Sequence, residues 1–288
     1  MQRPVTAVAD ALRQRGPEFL IARLHASMFG PGGLDPFLAG DEFLMGEPTF
    51  PPHPHAGFSA VTWSFEDGDG EVTNRDTFSP GPVQIGPGAI HWTASGGGMV
   101  HEEVPTVPGR AVHGLQLFVD QPRAQKQSAP FALHTDARDV RVVTHEGARV
   151  RVMAGAHHDA RVSLATPSPV TLLDLQLARG ATVPHRADPA DNVLVWVRRG
   201  AAKVNDVTVR THQVARLAPT AAGDRLSIVG LDARNEVTLL QGRPLAQPVF
   251  MHGPFVGSSP EEVRGYVERY QRGAMGGLSP SPLFQRRG

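Results

Sequence analysis

Apolar and polar residues alternate in short runs along most of the chain. Because successive side chains of a strand point to opposite faces, a period of two predicts a strand with one buried face. Glycine- and proline-rich segments separate the runs at spacings typical of sandwiches and barrels. The pattern therefore predicts an all-β protein. The runs are residues 61–65, 114–119, 140–143, 149–153, 170–177, 193–197, 201–209, 226–229 and 236–240.

One helix is predicted near the end of the chain. Ser259 can cap it, Pro260 suits the first helical position, and Glu262 stands three residues after the cap. Apolar residues then recur at helical spacing over residues 263–270, and Gly273 ends the run. The prediction is a short C-terminal helix.

The two halves of the chain show a weak internal repeat. Residues 52–55, which include two histidines, lead into the run at 61–65. In the second half, residues 181–185 end in a histidine and lead in the same way into the run at 193–197. Two related β-barrels would produce this repeat.

A polar stretch at residues 120–130 has little apolar content and is the natural connection between the halves. We place the domain boundary there and predict an N-terminal domain at residues 1–130. The predicted C-terminal domain, residues 131–288, carries the terminal helix.

Composition and charge exclude several classes of protein. Of the 288 residues, 40% are hydrophobic and 19% are charged, which is enough apolar material for a packed core. The 28 basic and 28 acidic residues cancel, so charge gives no basis for binding nucleic acid. We find no long apolar run and no secretory leader, and we expect no membrane span and a cytoplasmic location. Because cysteine is absent, any metal must be held by His, Asp or Glu.

Four residues have the type and spacing of a metal site. On a strand, residues i and i+2 face the same side, so His53 can converge with His55, and His101 with Glu103. Two such pairs on adjacent inward-facing strands supply three imidazoles and one carboxylate. This donor set suits a divalent first-row transition metal and leaves one or two positions open for chemistry. The alternative interpretation is a surface loop followed by a chance His and Glu pair.

The remaining histidines have no such partners in the sequence. His157 and His158 precede an aspartate and predict an exposed turn. His185 is the only histidine at the point of the repeat that corresponds to residues 52–55, and no paired His and Glu follow it. We therefore expect the second barrel to bind no metal. Single histidines without a partner at ligand spacing are His25, His134, His145 and His212.

Several segments resemble the signature of the pirin family, which belongs to the cupin superfamily. The resemblance covers nearly the whole chain and implies two stacked cupin β-barrels, of which only the N-terminal one binds metal. It gives the ligand roles to His53, His55, His101 and Glu103. It also implies iron and, for several members, the oxygen-dependent ring opening of the flavonol quercetin. The segments are residues 50–58, 86–88, 92–96, 98–103, 113–119 and 253–256.

Four positions depart from the family pattern around this site. Pirins usually have Arg and Glu where this chain has Ala56 and Ser59. They tend to have His at the position of Asn74 and Gln at that of His91. The Glu at the position of Ser59 is a metal ligand in the general cupin pattern, so Glu103 is the only obvious carboxylate here. These departures bear on the expected substrate more than on the expected metal.

Two functions remain open at this point. The first is a metal-dependent dioxygenase that binds a small flavonol-like or other enediol aromatic together with O2, with Glu103 as the catalytic base. The second is a non-catalytic iron-binding regulatory protein that docks on a metabolic enzyme or a transcription factor. Iron(II) is the expected cofactor in both, with manganese, nickel, copper and zinc as alternatives.

Overall fold

Strands form where β-branched and aromatic residues alternate with polar ones. The computed structural model describes residues 1–13, 19–221 and 223–287. These described residues form 24 strands, one α-helix and three short 3-10 helices. The prediction of an all-β protein with a short C-terminal helix is confirmed.

The elements have the following bounds. The first twelve strands are β1 Ala7–Asp10, β2 Leu20–Leu24, β3 Phe37–Met45, β4 His53–His55, β5 Phe58–Ser64, β6 Val72–Asp76, β7 Val83–Ile85, β8 Ile90–Ala94, β9 Met99–Pro105, β10 Val112–Asp120, β11 Phe131–Thr135 and β12 Arg141–His145. The others are β13 Ala148–His157, β14 Ala160–Val162, β15 Val170–Leu177, β16 Thr182–Arg186, β17 Asn192–Arg199, β18 Ala201–Val204, β19 Val207–Arg210, β20 Gln213–Leu217, β21 Arg225–Gly230, β22 Asn235–Gly242, β23 Phe250–His252 and β24 Phe255–Gly257. The helix α1 spans Pro260–Gln271, and the 3-10 helices span Arg123–Gln125, Ala137–Asp139 and Pro282–Arg287.

The chain folds into two units that are not contiguous in sequence. We call one the N-barrel, which comprises the described residues of Gln14–Ile21, Ala39–Arg138 and Leu245–Gly288. The other, the C-barrel, comprises the described residues of Met1–Arg13, Ala22–Leu38 and Asp139–Pro244. The N-barrel, formed mainly by the first half of the chain, therefore includes the C-terminal segment. The C-barrel, formed mainly by the second half, includes the N-terminal segment.

This division differs from the predicted domains 1–130 and 131–288 at both ends of the chain. Strand β1, near the N-terminus, pairs antiparallel with β20 of the C-barrel. The C-terminal helix packs in the N-barrel, where Val263 and Tyr266 share a buried cluster with Ala56. In its contacts the helix therefore groups with the first half of the chain, which covers its apolar face. The break between Arg138 and Asp139 lies close to the predicted one.

The two units repeat one strand arrangement. The larger N-barrel sheet has the order β11-β8-β5-β10-β3-β2, and the smaller has β4-β9-β6-β7. In the C-barrel the order is β1-β20-β17-β22-β15-β13-β12, with β14 on β13, and the smaller sheet is β16-β21-β18-β19. Strands β3 to β10 thus correspond one to one with β15 to β22. The predicted repeat matches β4 with β16 and β5 with β17.

Each unit buries its core between its two sheets. In the C-barrel, Val195 and Leu239 of the larger sheet share a cluster with Val183 and Ile228 of the smaller one. The N-barrel has a smaller cluster of the same kind, with Phe43, Met45 and Val112 against Val72 and Ile85. The inward side chains that are not apolar are therefore the candidates for chemistry.

Two local predictions have different outcomes. The helix begins at Pro260 with Ser259 as its cap, and the Ser259 hydroxyl accepts from the Glu262 N–H at 3.2 Å, as predicted. The run at 201–209 is not one strand but the hairpin of β18 and β19, because Asn205 takes a positive φ of 52° at the turn. Within the part of the chain that the structure describes, no helix is long and apolar enough to cross a membrane.

Candidate metal centre

The two predicted ligand pairs lie on paired strands of the N-barrel. Strand β4 pairs antiparallel with β9, and His53 stands directly opposite His101. His53 and His55 alternate to the same face of their strand. The three imidazole rings are 4.7–4.8 Å apart between centroids. One nitrogen from each ring lies within 4.8 Å of the other two, so three potential ligand atoms converge.

Hydrogen bonding fixes which nitrogen of His53 faces this group. Its Nδ1–H donates to the Pro51 carbonyl oxygen at 2.9 Å, which leaves the lone pair on Nε2. That Nε2 lies 3.2 Å from His101 Nε2. Nitrogens that share an ion with bonds of about 2.0–2.1 Å stand about 3.0–3.4 Å apart. The observed spacing fits a metal held by both rings.

Burial keeps the three imidazoles neutral. It lowers the pKa of His55 to about 3, with a further contribution from His53. Burial also lowers the pKa of His53, and it lowers that of His101 well below the usual value, assisted by His55 and His53. A neutral imidazole carries the lone pair that coordination requires. At neutral pH the group therefore needs no deprotonation to accept a metal.

Glu103 stands two residues after His101 on β9 and opposite Asn74 on β6. The group whose ligand atoms all lie within 4.8 Å comprises the three histidines and does not include it. Its carboxylate instead accepts a hydrogen bond from the Thr62 hydroxyl. Burial raises the pKa of Glu103 to about 7, and the Thr62 hydrogen bond opposes that rise. The carboxyl group is therefore poised to gain or lose a proton near neutral pH.

Phenylalanine rings flank the histidines on more than one side. Phe58 meets His55 edge-on at 4.9 Å between ring centroids, and Phe118 lies 5.5 Å from Phe58. Phe50 lies 6.2 Å from His53 and is 50% exposed. An exposed ring beside a polar group offers apolar surface to a flat ligand.

Two of the departures from the family pattern lie in contact. Asn74 Nδ2 is 3.4 Å from His91 Nε2, and both side chains are buried. The resemblance implies an imidazole at the first position and an amide at the second. This chain has the amide at position 74 and the imidazole at position 91. Both kinds of side chain are therefore present, with their positions exchanged.

The other two departures lie at buried positions. Ala56 is fully buried in the cluster with Phe255 and Tyr266, where a long Arg side chain has no room. Ser59 is 1% exposed on β5, in register with Ala94 and Val119 of the neighbouring strands. Neither residue can replace the missing carboxylate, because neither carries one.

A second group of histidines, which was not predicted from the sequence, lies in the C-barrel. One nitrogen each of His145, His157 and His158 lies within 4.8 Å of the other two. His145, predicted to lack a partner, has its Nε2 3.1 Å from His157 Nε2. His157, predicted to be in an exposed turn, is 1% exposed, and its Nδ1 lies 3.0 Å from His185 Nδ1. Only His158 is exposed as predicted.

A bend in β13 brings these residues together. The register of β13 against β15 shifts between Val152 and Ala154, and Gly155 follows with a positive φ of 76°. The end of the strand then pairs with β14, which contacts β12. A Gly two residues before paired histidines was the one signal in the sequence, since glycine in a strand often marks a bulge.

Comparison with known proteins identifies the family. A family profile described as Pirin matches residues 4–119, and one described as Pirin C-terminal cupin domain matches residues 172–276. Pirin from Rattus norvegicus is 31% identical over 259 residues, which cover 88% of this chain and 88% of the relative. A Pseudomonas aeruginosa protein with the provisional name quercetin 2,3-dioxygenase is 34% identical over 257 residues, covering 83% of this chain and 86% of that protein.

Solved structures share the fold. Quercetin 2,3-dioxygenase from Acinetobacter baumannii matches with a TM-score of 0.85 at 27% identity, over 96% of this chain and 99% of that chain. A bacterial pirin from Escherichia coli in complex with nickel(II) matches with a TM-score of 0.63 at 18% identity, over 83% of this chain and 99% of that chain. With both family profiles matched and relatives above 30% identity along most of its length, the chain belongs to the pirin family.

Proposed function

We propose that the protein is an iron-dependent dioxygenase that opens the ring of a flavonol such as quercetin, or of a related enediol aromatic. The convergence of three neutral imidazoles, with a carboxyl group of raised pKa two residues from one of them, carries this proposal. Relatives that carry the name quercetin 2,3-dioxygenase support it. Both atoms of O2 enter the products of such a reaction, so no external reductant is needed.

His53, His55 and His101 are the residues that would hold the metal, and we propose Glu103 as the fourth ligand. Three imidazoles and a carboxylate fit iron(II), and they also fit manganese, nickel, copper or zinc. The bound metal would supply a Lewis acid with open positions for substrate oxygens and O2. The Pro51 carbonyl orients His53 by accepting its Nδ1–H.

Glu103 is the proposed catalytic base. Loosened from the metal, its carboxylate would accept the hydroxyl proton of an enediol, and burial, which raises the pKa of Glu103 to about 7 in the metal-free site, favours uptake of that proton. The Thr62 hydroxyl donates to the carboxylate and holds its orientation before the proton arrives. Phe50, Phe58 and Phe118 provide apolar contact for the aromatic rings of the substrate.

Oxygen uptake and quercetin loss test the proposal on protein loaded with iron(II) under anaerobic conditions. We expect turnover that requires both iron and O2 and that is weak with quercetin, since the exchanges at residues 56, 59, 74 and 91 alter the surroundings of the site. Other enediol aromatics belong in the same assay. No oxygen uptake with any of them would refute the dioxygenase and favour the regulatory alternative.

Glu103→Gln, assayed after iron loading, tests the role of Glu103 as the base. The variant keeps the shape of the side chain but cannot accept the proton, so we expect turnover to fall by about 100-fold or more. The matched control is Glu268→Gln, a carboxylate on the exposed face of α1. Turnover that survives the change in iron-loaded variant would refute the base role.

A further inference from the structure

We propose a second metal site in the C-barrel, in which His145, His157 and His158 bind a late first-row divalent ion of the zinc type. The site lies outside the strands that carry the N-barrel histidines. Its donors come from β12, from the end of β13 and from the turn that follows, whereas the N-barrel donors come from β4 and β9. The proposal is therefore independent of the proposed dioxygenase function.

The spacing of the nitrogen atoms matches that of the N-barrel group. His145 Nε2 and His157 Nε2 are 3.1 Å apart, against 3.2 Å between His53 Nε2 and His101 Nε2. Both distances fall within the about 3.0–3.4 Å expected for two nitrogens bound to one ion. His158 completes the group, with a ligand atom within 4.8 Å of the other two.

A chain of hydrogen bonds fixes the tautomer of His157. Gln241 lies 2.8 Å from Asp191 Oδ2, and because a carboxylate only accepts, the Gln241 atom that faces it is the Nε2 donor. The Oε1 of Gln241 therefore faces His185. His185 Nε2–H donates to that oxygen at 2.9 Å, and its Nδ1 accepts from His157 Nδ1–H at 3.0 Å. The lone pair of His157 is thereby placed on Nε2, the atom that faces His145. Metal-binding histidines characteristically donate their other N–H to such a partner.

His158, like His53, is oriented by a hydrogen bond to the carbonyl oxygen of a proline. Its Nε2–H donates to the Pro184 carbonyl oxygen at 3.2 Å, which leaves the lone pair on Nδ1. At His53 the N–H donor is Nδ1 and the acceptor is the Pro51 carbonyl. The backbone at His158 has a positive φ of 48°, an uncommon conformation for a side-chain-bearing residue and one that accumulates at functional sites.

The donor set and its exposure select the kind of ion. Among the described residues the group contains imidazoles and no carboxylate, which favours zinc, copper or nickel over manganese or iron. His157 is buried, and its Nδ1 contact with His185 leaves Nε2 for the ion. His158 is exposed, which gives the ion a route from solvent.

Zinc stoichiometry tests the site on the untagged full-length chain, after chelation and dialysis. We expect two Zn²⁺ per chain in the wild type. The double variant His145→Ala/His158→Ala should bind one, and so should His53→Ala/His101→Ala, each by losing a different site. His252→Ala, which removes an exposed histidine outside both groups, is the matched control and should bind two. The double variant is chosen because neither of its side chains is fully buried, so folding is preserved.

His185 is the positioning residue, and its variants distinguish a metal site from a merely structural cluster. His185→Ala should weaken the second Zn²⁺ by about 10- to 100-fold, the usual cost of losing an outer partner, while the first Zn²⁺ is unaffected. His185→Gln, which can still accept from His157 and donate to Gln241, should recover part of the affinity. Cobalt(II) absorption in the visible region reports the same change. One Zn²⁺ per chain in the wild type, or an unchanged count in His145→Ala/His158→Ala, would overturn the proposal.

Discussion

The two histidine groups occupy equivalent barrels but use different strands. In the N-barrel, β4 carries His53 opposite His101 on β9. In the C-barrel, the corresponding strand β16 carries His185, but the residue opposite it on β21 is Leu226. The histidines that surround His185 come instead from β12 and β13. The repeated scaffold thus fixes where strands lie without fixing which of them supplies polar groups.

Two charged networks, one in each unit, also differ. In the N-barrel, His113 lies between Asp67 at 2.7 Å and Glu42 at 3.2 Å, so the cation of this network is titratable. In the C-barrel, Arg198 pairs with Asp174 at 2.5 Å and stays charged at any physiological pH. The contributions of these two networks to stability should therefore respond differently to pH.

The largest effect is expected when one histidine of each group is replaced and the iron(II) affinity and oxygen uptake of the two variants are compared. His101→Ala removes a direct ligand, so we expect the N-barrel site to lose more affinity for iron(II) than the about 100-fold that an outer partner can cost. Oxygen uptake should disappear with it. His158→Ala should leave both quantities unchanged. Iron analysis and oxygen uptake measured on both variants check this, and equal effects of the two would contradict the assignment of the reaction to the N-barrel.

The next comparison is between alanine substitutions at two glycines beside the equivalent strands β4 and β16. The quantity compared is the free energy of unfolding. Gly57 has a φ of 82°, and an added Cβ would lie 1.8 Å from the Val256 carbonyl oxygen. Gly180 has a similar φ of 78° but no atom within 4 Å of that position. We expect Gly180→Ala to lower the free energy of unfolding by about 1–2 kcal/mol for the backbone conformation alone. Gly57→Ala should cost more than about 3 kcal/mol, because the Val256 backbone must also move.

Urea unfolding of both glycine variants measures the difference. Similar losses of free energy would mean that the contact between residues 57 and 256 yields easily, and that the turn after β4 is not held by β24.

The pH dependence of stability gives a third comparison between the two units. Burial alone would lower the pKa of His113, but its hydrogen bonds with Asp67 and Glu42 outweigh burial and raise the pKa to about 9. Because the folded pKa exceeds the unfolded value of 6.5, the stabilisation is complete below pH 6.5 and is lost as pH rises to about 9. The loss amounts to at most about 3 kcal/mol.

His113→Gln should flatten this part of the stability curve, since the neutral amide does not titrate. The measurement is the free energy of unfolding in urea at a series of pH values for the wild type and the variant. A parallel fall in both would assign the pH dependence to another group and remove the proposed contrast with the Arg198 network.

The N-barrel site could be predicted because its geometry is local. Residues 53 and 55 alternate on one strand, and the motif at 101–103 lies on its direct neighbour, so period-two spacing and one strand pairing are sufficient. The C-barrel group could not be predicted in this way. His145 and His157 meet only because β13 changes direction at Gly155, and a sequence pattern does not give the direction of such a bend.

In the fold, too, local features could be predicted from the sequence and long-range contacts could not. Alternation located strands β5, β10, β12, β13, β15, β17, β21 and β22, and the cap at Ser259 predicted the start of the helix. The exchange of chain ends between the units was not predictable, because it depends on β1 reaching β20 and on α1 covering Ala56. Both are long-range contacts that leave no periodic signal in the sequence.

Anomalous diffraction from crystals of the metal-loaded protein, collected at the absorption edge of iron, tests the central claim most directly. The account predicts a peak bonded to His53, His55 and His101, at about 2.0–2.3 Å from one nitrogen of each and from a Glu103 oxygen. Peaks only elsewhere on the chain, or no peak after loading with excess iron(II), would contradict the assignment of the reactive metal to these residues.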